Sequence, residues 1–178
     1  GSRQLSSAIK LKPTPLANNY LKYKNENHKN DLFPLEVFFC DDCKHLQLID
    51  VVDPKILYEN YLYVSGTSPV FIEHFKNYAT YLSENYCAKG LVVDIGSNDG
   101  TLLKEFKKLG YLVLGIEPAR DIGKQASIEG IETILDFFNP SLSSSIKSQY
   151  GLAKIITANN VFAHIDDPIS FLDGIKCL

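Results

Sequence analysis

Asp94, Gly96, Asn98, Asp99 and Gly100 crowd the end of an apolar run, LVVDI, and Glu117 follows 21 positions after Gly96. Glycines let a ligand approach the backbone, and the helix that should follow offers free N–H groups. An acidic residue about 20 positions past such a loop can accept hydrogen bonds from both hydroxyls of a ribose. The spacing is Gly96, three residues, Gly100, not the G-x-G-x-x-G of a dinucleotide site. Asp94 and Asp99 would repel a pyrophosphate but suit a cationic sulfonium with an amino-acid head, so the loop favours S-adenosylmethionine (SAM) over NAD. Asp94 is expected to face the ammonium group, directly or through water.

The elements that must carry these residues alternate from residue 90 onward. LVVDI (91–95), YLVLGIE (111–117), IETIL (131–135) and AKIITANNVF (153–162) read as strands and exit loops. DGTLLKEFKKLG, ARDIGKQASIEG, PSLSSSIKSQYG and DPISFLDGIKCL read as the helices between and after them. That alternation predicts a parallel sheet with right-handed crossovers and ligands beyond the carboxyl ends of the strands. The exits then present Glu117 and Pro118; Asp136, which can accept from an adenine amino group, and Phe137, which can lie against its ring; and Asn159, Asn160 and His164. Ahead of the sheet, Ser68 and Pro69 read as an N-cap and first turn. Phe71, Phe75, Tyr78, Ala79 and Leu82 follow at helical spacing as a core-facing stripe.

Residues 1–67 differ: they are rich in Asn, Lys, Pro and aromatics, with few long periodic segments. NNYLKYKNENHKND reads as a polar loop or hairpin tip. LEVFFC (35–40) and HLQLIDVV (45–52) read as antiparallel strands around Cys40 and Cys43, the arrangement of a zinc knuckle. The expected organisation is therefore a partial zinc-binding-type domain over 1–67 and a Rossmann-like domain over 68–178. Cys87 and Cys177 read as ordinary thiols, and His28 and His74 as surface or packing residues.

Composition bounds the function class. The 178 residues are 45% hydrophobic and 22% charged, as in a globular protein, and the net charge of −3 comes without a basic cluster. Nucleic-acid binding is thereby disfavoured. No apolar run approaches a membrane span, and the first residues lack the apolar core of a signal peptide. A cytoplasmic location is expected, with the Cys-x-x-Cys pair serving metal or redox chemistry rather than a disulfide framework.

TPLANNYL (14–21), FFCDDCKHLQL (38–48), YENYLYVSGTS (58–68), VDIGSNDGTLL (93–103), GIEPA (115–119) and ITANNVFAHIDD (156–167) resemble the sugar C-methyltransferases of deoxysugar biosynthesis. The resemblance covers nearly the whole chain. It implies an α/β fold: a class I SAM-methyltransferase sheet, incomplete at about four strands, behind a small irregular zinc-knuckle-like domain. It implies methyl transfer to a carbon next to the ketone of a nucleotide-linked 4-keto-deoxysugar, with SAM and zinc as cofactors and a nucleotide-sugar as partner. It places Tyr63, Ser65 and Ser68 in a segment closing over the methionine end of SAM, and gives Tyr63 and His164 catalytic roles. Zinc in this family takes two Cys-x-x-Cys pairs, and the first would fall before the start of this chain. The family's third part would lie beyond residue 178. The expected picture is a fragment inactive by itself, with an exposed sheet edge prone to self-association. A non-catalytic SAM-binding or protein-interaction module is the alternative.

Overall fold

A computed structural model describes residues 2–17, 31–59, 61–86 and 89–178. Most of the expected polar loop at 18–31, together with His28 and Cys87, lies outside the described residues. The chain divides into two compact units, Gly1–Leu62 and Tyr63–Leu178.

The first unit is a three-stranded antiparallel sheet in sequence order: β1 (Leu5–Thr14), β2 (Phe33–Cys40) and β3 (Leu46–Leu48). β1 was not visible as a strand in the sequence. Ile9 and Leu11 alternate with Lys10 and Lys12, but that signal is short and runs into Pro13, and the strand's residues are almost all exposed. β3 is shorter than the strand expected over 45–52. It pairs only with Val37, Phe38 and Phe39. Asp53 then caps a short helix, α1 (Pro54–Tyr58), accepting from Lys55 N at 2.9 Å.

The second unit opens with α2 (Pro69–Asn85). Ser68 accepts from Phe71 N and Pro69 occupies the first turn, as expected. β4 (Leu91–Ile95), α3 (Thr101–Lys108), β5 (Leu112–Ile116), α4 (Arg120–Ile128), β6 (Thr133–Ile134), α5 (Pro140–Tyr150), β7 (Ala153–Thr157) and α6 (Pro168–Cys177) follow. The sheet is parallel, in the order β6-β5-β4-β7. β6 is only two residues long, short of the expected run 131–135. Ile131 instead packs into the core, while Leu135 is exposed.

Both faces of the sheet are covered, which is why all five β4 residues are buried and all but Asp94 are apolar. Val92 and Val113 point to one core with Leu103 and Phe106 of α3 and Ala79 of α2. Leu91, Val93, Ile95, Leu114 and Ile116 point to the other with Ile146 of α5 and Phe171 of α6. Phe75, Tyr78 and Leu82 pack against the first core, as their spacing predicts, and His74 stacks on Tyr78. After β4 the chain turns to β5 on one side, while β7 lies on the other. The crevice of such a sheet opens at that reversal, beyond the carboxyl end of β4.

Candidate functional site

A cleft occupies that position. It is lined by Tyr63, Ser65, Phe71, Phe75, Asp94, Gly96, Ser97, Asn98, Thr101, Leu102, Asn159 and Asn160. Seven of these are sequence-predicted site residues: Tyr63, Ser65, Asp94, Gly96, Asn98, Asn159 and Asn160. Ser68, Asp99, Gly100, Glu117, Pro118, Asp136, Phe137 and His164 lie outside that lining.

The loop after β4 turns on three left-handed residues, Gly96 (φ 69), Asn98 (φ 51) and Gly100 (φ 73). A side chain at Gly96 would be strained, and its Cβ would lie 2.5 Å from Val161 Cγ2. Asparagine tolerates this region better than most residues, which suits position 98.

Asp94 is buried at the floor, where its Oδ1 accepts from Thr157 Oγ1 at 2.6 Å. Burial pushes its carboxyl up to about 7; the Thr157 bond opposes this and the charge of Glu117 adds to it. Glu117 is buried at the tip of β5, accepting from Asn98 N at 2.7 Å and Ala119 N at 2.8 Å. Burial also raises its carboxyl, against those two N–H groups. Each oxygen keeps a further lone pair for a ligand hydroxyl.

Two polar atoms of the lining, Ser97 Oγ and Asn159 Nδ2, are buried and make no hydrogen bond within the chain. Leaving a buried donor unmatched costs about 1–3 kcal/mol, so each of the two calls for a partner from outside the chain, a water or a ligand. The lining therefore offers a buried carboxylate and two unmatched polar groups beside a backbone made close by glycine. That donor set fits a compact zwitterionic head such as the methionine end of SAM. Ser97, Thr101, Phe71, Phe75 and Leu102 were not sequence-predicted as site residues. For Ser97, a small residue inside the glycine loop was the available signal; Phe71 and Phe75 read only as core.

Several predicted residues spend their side chains on the protein. Both Asp99 oxygens are engaged: Oδ2 accepts from Gly66 N at 3.0 Å, and Oδ1 from Thr101 N at 3.2 Å and Thr101 Oγ1 at 2.7 Å. The Ser68 hydroxyl caps α2. Asp136, exposed after β6, accepts from the N–H of Phe137 at 2.7 Å. His164 ends an exposed 3-10 turn, Phe162–His164, after β7.

In the first unit, Cys40 is buried at the end of β2 and Cys43 is exposed in the turn after it. Hydrogen bonding from Cys43, its backbone foremost, and from the Asp42 backbone holds the Cys40 thiol below its ordinary value; burial opposes this. Thiolate-favouring N–H groups suit a soft metal. Among the described residues, however, no group of three or more Cys, His, Asp or Glu side chains converges. His45 does not join the two cysteines in such a group.

Comparison with known proteins gives these units counterparts. Residues 1–58 match a family model described as "Putative zinc binding domain". Over 167 residues the chain is 34% identical to C-methyltransferase NovU of Streptomyces niveus, covering 93% of this chain and 40% of that protein. The chain thus spans less than half the length of this curated relative. It also aligns with two structures of the plantazolicin methyltransferase BpumL, one with SAH and one with a pentazolic desmethylPZN analog and SAH. Each alignment has a TM-score of 0.44 and 17% identity and covers 59% of this chain and 40% of BpumL. Among the described residues no helix is long and apolar enough to cross a membrane. Residues 71–177, more than half of the chain, match the family model "Methyltransferase domain", and with the parallel sheet and its cleft this chain belongs to that methyltransferase family.

Proposed function

We propose that this chain carries the cofactor-binding part of a SAM-dependent C-methyltransferase acting on a nucleotide-linked 4-keto-deoxysugar. The observation that carries the reading is the cleft beyond β4, where the buried carboxylate of Asp94 sits among unmatched polar groups of Ser97 and Asn159. The kinship with a C-methyltransferase supports transfer to carbon.

When bound, SAM supplies an electrophilic methyl group. Asp94 holds the ammonium of its amino-acid end, and Glu117 accepts from the ribose hydroxyls. Asp136 and Phe137 receive the adenine. A ketone acidifies the neighbouring C–H of the sugar, so once a base has taken that proton the enolate carbon would attack the methyl in line, the new C–C bond forming as the methyl–sulfur bond breaks and S-adenosylhomocysteine leaves. Tyr63, in the cleft lining, and His164, in the turn after β7, are the residues proposed to act on the sugar's proton and ketone oxygen. No step of this scheme passes through zinc. Its proposed role is structural, with Cys40 and Cys43 as two of its ligands.

Calorimetric titration with S-adenosylhomocysteine (SAH), beside NAD and a Glu117→Ala variant, tests the cofactor reading. Micromolar SAH binding, lost in the variant and absent for NAD, is the expected result. NAD binding, or no binding by a chain extended through the region that the longer relative possesses, would sink it. Two cysteines leave a four-ligand zinc site incomplete, so zinc analysis tests the pair in a chain extended to carry a second Cys-x-x-Cys pair: about one ion per chain is expected there, lost on Cys40→Ser.

A further inference from the structure

Asn98 makes three hydrogen bonds, all to protein. Its side-chain oxygen accepts from Ser65 N at 2.8 Å, and its Nδ2 donates to the Tyr63 carbonyl at 2.8 Å. Its own N–H donates to Glu117 Oε2 at 2.7 Å. The backbone partners leave the amide one orientation: an N–H must meet oxygen and a carbonyl must meet NH2. Asp99 adds a parallel tie to Gly66 N, where there is no room for a side chain. A Cβ on Gly66 would lie 2.4 Å from Asp99 Oδ2. The segment Tyr63–Gly66 is thus stapled across the glycine loop by two consecutive side chains.

From this we infer that Asn98 is a positioning residue. It holds Tyr63 and Ser65 over the amino-acid end of the ligand and joins that strap to the carboxylate that binds the ribose. This rests on the SAM reading of the cleft. In it, Asn98 acts on the ligand through Tyr63, Ser65 and Glu117 rather than by its own side chain. Ligand recognition then has two parts. The adenosine part, held by Glu117, Asp136 and Phe137, needs from residue 98 only its backbone N–H to Glu117. The amino-acid part also needs the strap.

Asn98→Gly separates the staple from the backbone, because glycine keeps the left-handed φ and the N–H to Glu117 while losing both side-chain bonds. Asn98→Asp keeps the acceptor for Ser65 N but sets an oxygen against the Tyr63 carbonyl. The experiment measures affinity for SAH and for adenosine by calorimetry and amide hydrogen exchange residue by residue by NMR. In both variants SAH should bind roughly tenfold more weakly while adenosine binds as before. In Asn98→Gly the Ser65 amide should exchange at least about tenfold faster, with Gly66 still protected by Asp99 and β4 amides unchanged as the folding control. An unchanged ratio of SAH to adenosine affinity in both variants, with SAH still binding the wild-type chain, would overturn this inference and leave the cofactor reading standing. So would a Ser65 amide that exchanges equally fast in the wild-type chain and in Asn98→Gly. A wild-type chain that binds neither ligand, even when extended as above, would overturn the cofactor reading and this coupling together.

Discussion

The two units bury their residues very differently. Among the described residues, Cys40 is the only buried hydrophobic residue in Gly1–Leu62, and its sheet leaves Ile9, Leu11, Leu46 and Leu48 more than half exposed. In Tyr63–Leu178 two cores clamp one sheet, with Val92, Val93, Leu103, Phe106 and Leu114 at zero exposure. A sheet of this kind is held by its hydrogen-bond ladder and by whatever cross-links it; a clamped sheet is held by apolar burial. The contrast accounts for where the cysteine pair sits. A small unit with little core is where a metal cross-link contributes most. It also accounts for where the cleft sits, since only the clamped unit can keep a carboxylate such as Asp94 dry.

The comparison breaks most sharply on core truncation. Phe106→Ala, in the first core under α3, should cost about 3–5 kcal/mol in urea unfolding followed by circular dichroism. A loss below about 1 kcal/mol would mean that the clamped sheet is not held by this core. Gly96→Ala comes next. The left-handed backbone and the close approach of Val161 should together cost about 2 kcal/mol and abolish SAH binding, read by the same unfolding and by calorimetry.

A pH titration sharpens the contrast without changing a core residue. The folded-state carboxyl of Asp94 lies at about 7, above its ordinary 3.8. Its contribution to stability is therefore full below the ordinary value and is lost as pH rises through about 7. Glu117, also raised, acts with the same sign. With Asp94 holding the ammonium as proposed, ligand binding runs the other way, because a cationic head needs Asp94 ionised. SAH affinity should weaken as pH falls below 7, by up to roughly tenfold per unit. Asp94→Asn should bind SAH weakly and lose most of this slope; an undiminished slope would remove Asp94 from the ammonium site. The smallest effect belongs to the first unit. Leu48→Ala, on a side chain 51% exposed, should change stability by no more than about 0.5 kcal/mol in the same urea assay.

Much of the second unit was legible in order. Short runs rich in apolar residues, each followed by an amphipathic helix, set the alternation; Gly110 and Gly130 stop the first two of these helices, and both glycines are left-handed in the structure. The first unit was legible only around its cysteines. β1 carries only a short alternation, Ile9 and Leu11 between Lys10 and Lys12, and β3 is limited by the three residues of β2 that it pairs with.

At the site, local chemistry alone singled out the glycine loop, the acidic residue at its entrance and the glutamate at the next strand exit. Each needs only its own backbone or its neighbours: a positive φ, a strand end, a helix start. The partners were beyond that reach. Thr157 meets Asp94 across 63 positions of sequence, and Ser65 and Tyr63 meet Asn98 across 33 and 35. Whether Asn98 and Asp99 turn to a ligand or to the protein depends on what the folded chain brings beside them. Burial acts in the same way on Asp94: composition gives a carboxylate of ordinary acidity, and only the surrounding fold withdraws water and raises it.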